Sequence, residues 1–283
     1  MIKEENLKNA LDYYNIDDNE YRKKCFDAFA KIKCDDKLLK KIDSILQIMY
    51  EDKTNKIRDL WADPNFLNNF SYEIPAYGTS VMLLCGYDYH INNMIAHHFD
   101  EEQINLHKMR IKYALTYDIY ERKYDRIRTN QMLWGAYFVD IRLIEAGILQ
   151  YERYDENTIN IHIPEGVVFT TENIKNSIHK AKILIEKFFG MKKYDMYCTS
   201  WLLSHQVNTL TSENSNIRAF YNMFDVTDYE DGTDDVLNFA FHSSAKTDYI
   251  NLPENTSLQK KLKAYLISGK KIILGKGKLR QNI

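Results

Sequence analysis

His162 and Glu165 are two side chains able to carry protons, three residues apart and separated by Ile163 and Pro164. An imidazole titrates near neutral pH unperturbed, whereas a glutamate needs a raised pKa or a water relay to take a proton from an amine. Their ordinary alternatives are a hydrogen-bonded histidine on a half-buried strand and a loop or helix-capping carboxylate. Other suggestive residues fit known chemistry less well. His90, His97, His98 and His107 carry no HExxH pattern, so no metal is expected. Cys25, Cys34, Cys85 and Cys198 lie far apart without CxxC spacing and read as reduced thiols. Gly275-Lys276-Gly277 is no P-loop, and the basic residues Lys270, Lys271, Lys276, Lys278 and Arg280 read as a solvated terminus.

The elements that must hold His162 and Glu165 are legible around them. Residues 137–144 and 148–154 are rich in β-branched and aromatic types and flank Glu145-Ala146-Gly147, which predicts a hairpin. Thr158 to Ile163 alternates strictly, putting Ile159, Ile161 and Ile163 on one face and Thr158, Asn160 and His162 on the other. Pro164 cannot donate to a β-ladder, so pairing must end or splay there. A helix is then predicted from the N-cap Thr170, with Ile174, Ile178, Ala181, Ile185, Phe188 and Phe189 at helical spacing and an end near Gly190. Residues 196–203 read as a strand, 216–224 as a helix, and the runs around Val226 and over 236–242 as strands. The acidic run 228–235 reads as a solvated loop between those last strands.

The first half is expected to be a helical bundle. Only 10 Gly and 4 Pro punctuate the 283 residues, and Leu38, Leu39, Ile42, Ile45, Leu46 and Met49 recur at helical spacing. Asp17-Asp18, Asp35-Asp36, Asp63-Pro64 and Asp100-Glu101 supply N-cap residues or acidic first turns. The fold class expected is α+β: a helical domain over residues 1–125 and a mixed-sheet domain over 126–283. A formal net charge of -2 with interspersed signs gives no reason to expect nucleic acid or an anionic membrane as partner. No apolar run nears the ~20 residues of a membrane span, and the first residues do not read as a signal peptide, so a cytoplasmic protein is expected.

The order strand, strand, strand, helix, strand, helix, strand, strand resembles the acyl-CoA-binding part of the GNAT (general N-acetyltransferase) superfamily. The segments LWGAYFVDIRL (133–143), LQYE (149–152), IHIPEG (161–166), SWLLS (200–204), SNIRAFYNMF (215–224) and LPENTSLQKKLKAYL (252–266) resemble, more narrowly, a bacterial family of acyltransferase-domain proteins. Its members pair a helical N-terminal domain with a GNAT-like C-terminal domain.

That resemblance implies attack by an amine, or less often another nucleophile, on the thioester of an acyl-CoA held in a ternary complex, with acetyl as the expected acyl group. Pantetheine would lie between residues 158–163 and 196–203, and an oxyanion donor would come from the Ile163 backbone or a neighbour, since Pro164 has no N–H. The pyrophosphate would meet the start of the following helix, where Gly166, Val167, Thr170, Thr171 and Asn173 lie. The superfamily's Q/R-x-x-G-x-G/A pattern is reduced here to GVVFTTEN, with one glycine and with Glu172 close to the phosphates. His162 or Glu165 would be the base and Tyr221 the acid; Asn216 begins an N-x-x-A pattern before the aromatic, and Ser200 and Trp201 would shape the pocket. A tyrosine or tryptophan at an apolar position is also an ordinary core residue. The acceptor, small molecule or protein, and the oligomeric state cannot be read. A non-catalytic module that binds an acyl-CoA, another metabolite or a protein partner is the alternative.

Overall fold

The computed structural model describes residues 3–50, 73–243 and 247–281; the boundary expected at Asp63-Pro64 lies outside them. The chain divides into two compact units, Met1–Ile144 and Glu145–Ile283.

The described residues of the first unit form helices α1 (Glu4–Tyr13), α2 (Asn19–Lys33), α3 (Asp36–Tyr50), α4 (Gly78–Leu84), α5 (Tyr87–Ala96), α6 (Glu101–Tyr120) and α7 (Thr129–Val139). Aspartates start several of them: Asp18 accepts from the Tyr21 N–H, Asp35 from Lys37 and Leu38, and Asp100 from Gln103. Each bond satisfies a donor that the first helical turn leaves without an intrahelical partner. Buried Asp118 on α6 accepts from both the backbone and the side chain of Arg128, the residue before α7. Tyr14 meets His90 Nδ1 at 2.9 Å, and the His90 ring stacks on His107 at 5.7 Å.

Residues 137–144, expected as a strand, instead finish α7 and turn through Ile141 (φ 53) into the short strand β1 (Leu143–Ala146). Met132, Leu133, Ala136, Tyr137, Phe138 and Val139 are all buried. A helix buried on nearly every side carries no 3.6-residue polarity, and an apolar run of that kind cannot be told from a buried strand by pattern.

The second unit holds a six-stranded sheet in the order β1-β2-β3-β4-β6-β5. Strand β2 is Leu149–Arg153, β3 Thr158–His162, β4 Asp195–Ser200, β5 Phe224–Asp231 and β6 Ile273–Leu279. Gly147 makes the first turn with φ 65, and a Cβ there would lie 3.1 Å from the Ser177 backbone. Helix α8 (Thr171–Phe189) buries Ile174, Ser177, Ile178, Ala181, Ile185 and Phe188, ending at Gly190 as expected. Ser177 fastens it to the sheet, donating to the Ala146 carbonyl and accepting from the Leu149 N–H at 3.1 Å. Short helices α9 (His205–Leu210) and α10 (Asn216–Tyr221) follow β4, and α11 (Thr233–Phe241) and α12 (Ser257–Ile267) complete the unit.

Three expectations in this half need correction. Residues 196–203 are not one strand: β4 stops at Ser200 and Trp201–Leu203 is a 3-10 turn, capped by Ser200 Oγ accepting from the Leu202 N–H at 3.1 Å. Residues 236–241 belong to α11, with His242 as its C-cap, and its first turn takes Asp234 and Asp235 out of the supposed acidic loop, while the earlier part of that run lies in β5. The basic terminus is an inner strand. Gly275 and Gly277 of β6 lie under the Trp201–Leu203 turn, and a Cβ on Gly275 would stand 1.9 Å from the Leu203 carbonyl oxygen. The lysines are paired and not merely solvated: Lys278 meets Asp195, Lys271 meets Asp231, and Arg280 meets Asp225. Glycine on one face and lysine on the other give a strand without the apolar signature that betrays one.

Two outcomes follow from this packing. Gly275→Ala is expected to lower the urea midpoint, costing about 1–3 kcal/mol or more by forcing the Leu203 turn off the sheet; a midpoint equal to wild type counts against the close approach. His107 is held down to about 3 by burial, against the Phe138 carbonyl it meets, and His90 well below its usual value by burial and then by His107. Folded pKa values below unfolded ones mean that the unfolded chain binds more protons as pH falls below about 6.5, so stability falls with it. Each histidine costs about 2 kcal/mol by about pH 5. Melting temperature should therefore drop between about pH 7 and pH 5, and His107→Asn, which keeps a donor for the Phe138 carbonyl, should lessen the drop.

Candidate active site

Strands β3 and β4 run parallel and pair at Thr158↔Asp195, Ile159↔Met196 and Asn160↔Tyr197, and there the pairing stops. β3 stays with β2 as far as His162, opposite Gln150, while β4 stays with β6 as far as Ser200, opposite Gly275. Each strand keeps its outer partner and leaves its inner one. The result is a V-shaped gap whose lips are residues 161–163 and 198–200, where backbone donors and acceptors face a gap in place of a ladder.

Alternation assigns the two faces of this gap. Ile159 and Ile161 share a face with Met196, Cys198 and Ser200, and α8 covers it, since Ser177 also bonds the Tyr151 hydroxyl at 3.1 Å and Tyr151 pairs with Ile161. Asn160 and His162 share the other face with Gln150 and Glu152. This second face is polar although Gln150 and Glu152 are buried. Gln150 donates to Glu145 at 3.1 Å, Asn160 approaches Glu152 at 3.4 Å, and His162 Nε2 meets the same Glu152 oxygen at 2.9 Å. A buried carboxylate bonded to one ring nitrogen fixes the orientation of the imidazole. His162 therefore stands two residues beyond the last β3–β4 pair, the first residue past it on the polar face, as half of a His–Glu dyad.

Glu165 is not part of that dyad; its carboxylate lies 3.5 Å from His242 Nδ1, at the end of α11. Between the lip and α8, Gly166 takes φ 78, and Phe169 packs edge-on against Phe220 of α10 at 5.2 Å. Val167 is half-buried, and the Val168 carbonyl accepts from Thr170 N–H and Asn173 Nδ2. Thr170 caps α8, accepting from the Asn173 N–H at 3.2 Å. The N–H and hydroxyl of Thr171 both donate to Asn216 Oδ1 at 3.3 Å, so one side chain ties the starts of α8 and α10 together. Glu172 is exposed in the first turn. Trp201 turns away into an apolar cluster with Val207, Val236, Leu237 and Ile272.

Tyr221 ends α10 with its hydroxyl hydrogen-bonded to His205 Nδ1, and the other ring nitrogen of His205 lies 3.8 Å from Asp228. Burial, then the Asp228 charge, pushes the phenol pKa up while Arg280 opposes them, so the phenol stays protonated. Cys198, on the lip of β4, is pushed up to about 12 by burial, which makes it a poor nucleophile. Among the described residues no cluster of three or more His, Cys, Asp or Glu could hold a metal, and no helix is long and apolar enough to cross a membrane.

A parallel pair that parts beside a capped helix is the frame that the family comparison matches: the model of the GNAT-like C-terminal domain family covers residues 110–279, more than half of the chain. The chain belongs to this family. The chain also resembles solved acyltransferases in fold. One in complex with decanoyl-CoA is 20% identical with a TM-score of 0.65, over 84% of this chain and 78% of that one. One bound to decanoyl-CoA and teicoplanin is 17% identical with a TM-score of 0.69, over 86% and 76%. A mutant acyltransferase bound to octanoyl-CoA is 16% identical with a TM-score of 0.73, over 98% and 88%. At such identities the likeness establishes a shared fold. No curated protein matches the chain.

Glu152, His205 and Asp228 were not among the candidate site residues read from the sequence, where Asp228 counted only as part of a solvated acidic loop. Glu152 was within reach, because the β2–β3 turn sets Asn160 opposite it and His162 two residues along on the same face. His205 and Asp228 had no such signal, since a helix start and a strand reading as loop bring them together.

Proposed function

We propose that the chain is an acyltransferase that moves an acyl group from acyl-CoA to an amine by direct attack in a ternary complex. The observation that carries this reading is the parting of β3 from β4 after Asn160 and Tyr197, with the His162–Glu152 dyad at its lip. Pantetheine amides can bond the backbone groups left open there, and the thioester carbonyl can reach a lip N–H such as that of Ile163. Pyrophosphate would lie by Gly166 and Val167 and the start of α8, which offers a helix dipole and Thr170, Thr171 and Asn173 nearby. Thr171 already donates to Asn216, so the cradle relies more on the loop than on that first turn.

On the polar face, His162 takes the ammonium proton of the acceptor and Glu152 stabilises the imidazolium so formed. Across the sheet, Tyr221 holds a proton for the CoA thiolate. Glu165 is a loop carboxylate in this scheme, paired with His242. The expected acetyl donor stands beside longer ones, because the structural neighbours carry octanoyl- and decanoyl-CoA. Non-catalytic binding of acyl-CoA is the second reading, favoured by the single glycine of GVVFTTEN and by Glu172 beside it.

Thermal melting with acetyl-, octanoyl- and decanoyl-CoA tests the donor site: a ligand at about 100 Kd adds roughly 2.7 kcal/mol. A shift, with thiol release on adding an amine acceptor, supports the enzyme; a shift without release for any amine supports the binding module; no shift with any donor removes both. His162→Ala is expected to lower kcat by roughly a hundredfold. Glu152→Gln should lower it less, with the KM for acyl-CoA nearly unchanged in both.

A further inference from the structure

Along the sheet, Ser200 of β4 pairs with Gly275 of β6, and Gly275 pairs with Asp228 of β5. Residues directly paired across strands share a face, so Asp228 lies on the face of Ser200, about two strand spacings or ~10 Å from the lip of the gap. His205 begins α9, one residue after the turn that ends β4. Tyr221 closes α10, whose first residue, Asn216, is bonded to the start of α8. Three consecutive elements thus bring a phenol, an imidazole and a carboxylate into one row on the α8 side of the sheet, opposite His162.

We propose that His205, backed by Asp228, is a positioning residue for Tyr221 that resupplies the proton which the phenol gives to the departing CoA thiolate. The inference rests on the acyltransferase reading above. As the acyl carbon–nitrogen bond forms, the carbon–sulfur bond breaks and its electron pair leaves on sulfur. The Tyr221 O–H proton moves to that sulfur, and the proton on His205 Nδ1 moves to the phenolate oxygen. His205, about half exposed, regains a proton from solvent, and Asp228 offsets the charge of the doubly protonated ring. A donor on Nδ1 also keeps the phenol's own proton free for sulfur.

The other charged groups near the pair are engaged. Arg280 pairs with Asp225, Arg218 donates to the carbonyls of Asn208 and Thr211, and Lys261 donates to that of Leu210. Asp228 lies 3.8 Å from the His205 ring.

Thiol release from octanoyl-CoA, with water and then 1,4-diaminobutane as acceptor, is measured against pH for wild type, Y221F, H205A, H205N and D228N, with melting curves to verify folding. Wild-type kcat should fall at alkaline pH, where solvent resupplies the His205–Tyr221 relay less readily. H205A should lose about tenfold or more in kcat at little change in KM for octanoyl-CoA. H205N, which retains a donor near the Nδ1 position but does not titrate, should recover part of kcat and abolish the alkaline fall, and D228N should move that fall to lower pH. Folded H205A or H205N with wild-type kcat and pH profile, beside a slow Y221F, would overturn the role of His205 alone. No thiol release by wild type with either acceptor would overturn this role together with transfer to these acceptors, and no melting shift with octanoyl-CoA would then locate the fault in the donor site itself.

Discussion

The second unit depends on strand β4 abandoning one neighbour without losing the other. After Tyr197 it leaves β3, yet its backbone groups continue to pair with β6 through Ser200. An unpaired buried peptide group is costly, so a gap inside a sheet persists only where both lips are held from outside. β2 holds one lip through the Gln150↔His162 pair, and β6 holds the other. β6 can lie there because Gly275 and Gly277 let the Leu203 turn come within contact of its backbone. The glycines thus help to hold the gap open from two strands away.

The two faces of that gap are chemically unlike, and strand alternation makes them so. One presents Ile159, Ile161 and Cys198 beneath α8 and the phenol of Tyr221 farther along; the other presents Asn160 and His162 with buried Gln150 and Glu152. A buried carboxylate requires partners, and Glu152 finds them in His162 and Asn160. In the proposed reaction, proton acceptance by His162 and proton donation by Tyr221 would fall on opposite faces of the sheet. Spatial separation of acid from base suits a reaction in which the nucleophile arrives from one side and the leaving group departs on the other.

The helical unit is organised around polar groups buried among apolar side chains. Tyr21 bonds both Ser80 and the Leu115 carbonyl, Asp118 gathers Arg128, and His90 stacks on His107. Such groups specify one arrangement of helices, since any other leaves them without partners. The neutral histidine pair also makes this half sensitive to acid.

The sequence by itself determined the elements whose signals are local. The α8 helix from its Thr170 cap to Gly190, the β3 alternation and the aspartate caps at Asp18, Asp35 and Asp100 lie where short-range pattern placed them, while β3 parts from β4 already after Asn160, ahead of Pro164. In the candidate site, His162, Asn216 and Tyr221 were legible in short motifs. Tertiary structure decided the rest. The apolar run 129–139 became a helix because burial on nearly every side erased its periodicity, and GKGK became an inner strand because its glycines serve a neighbour's backbone and not a hydrophobic face. Glu152 beside His162, and His205 with Asp228 behind Tyr221, are contacts across register and between elements. No residue carries in its own neighbourhood the identity of a partner that only sheet pairing and helix packing bring to it.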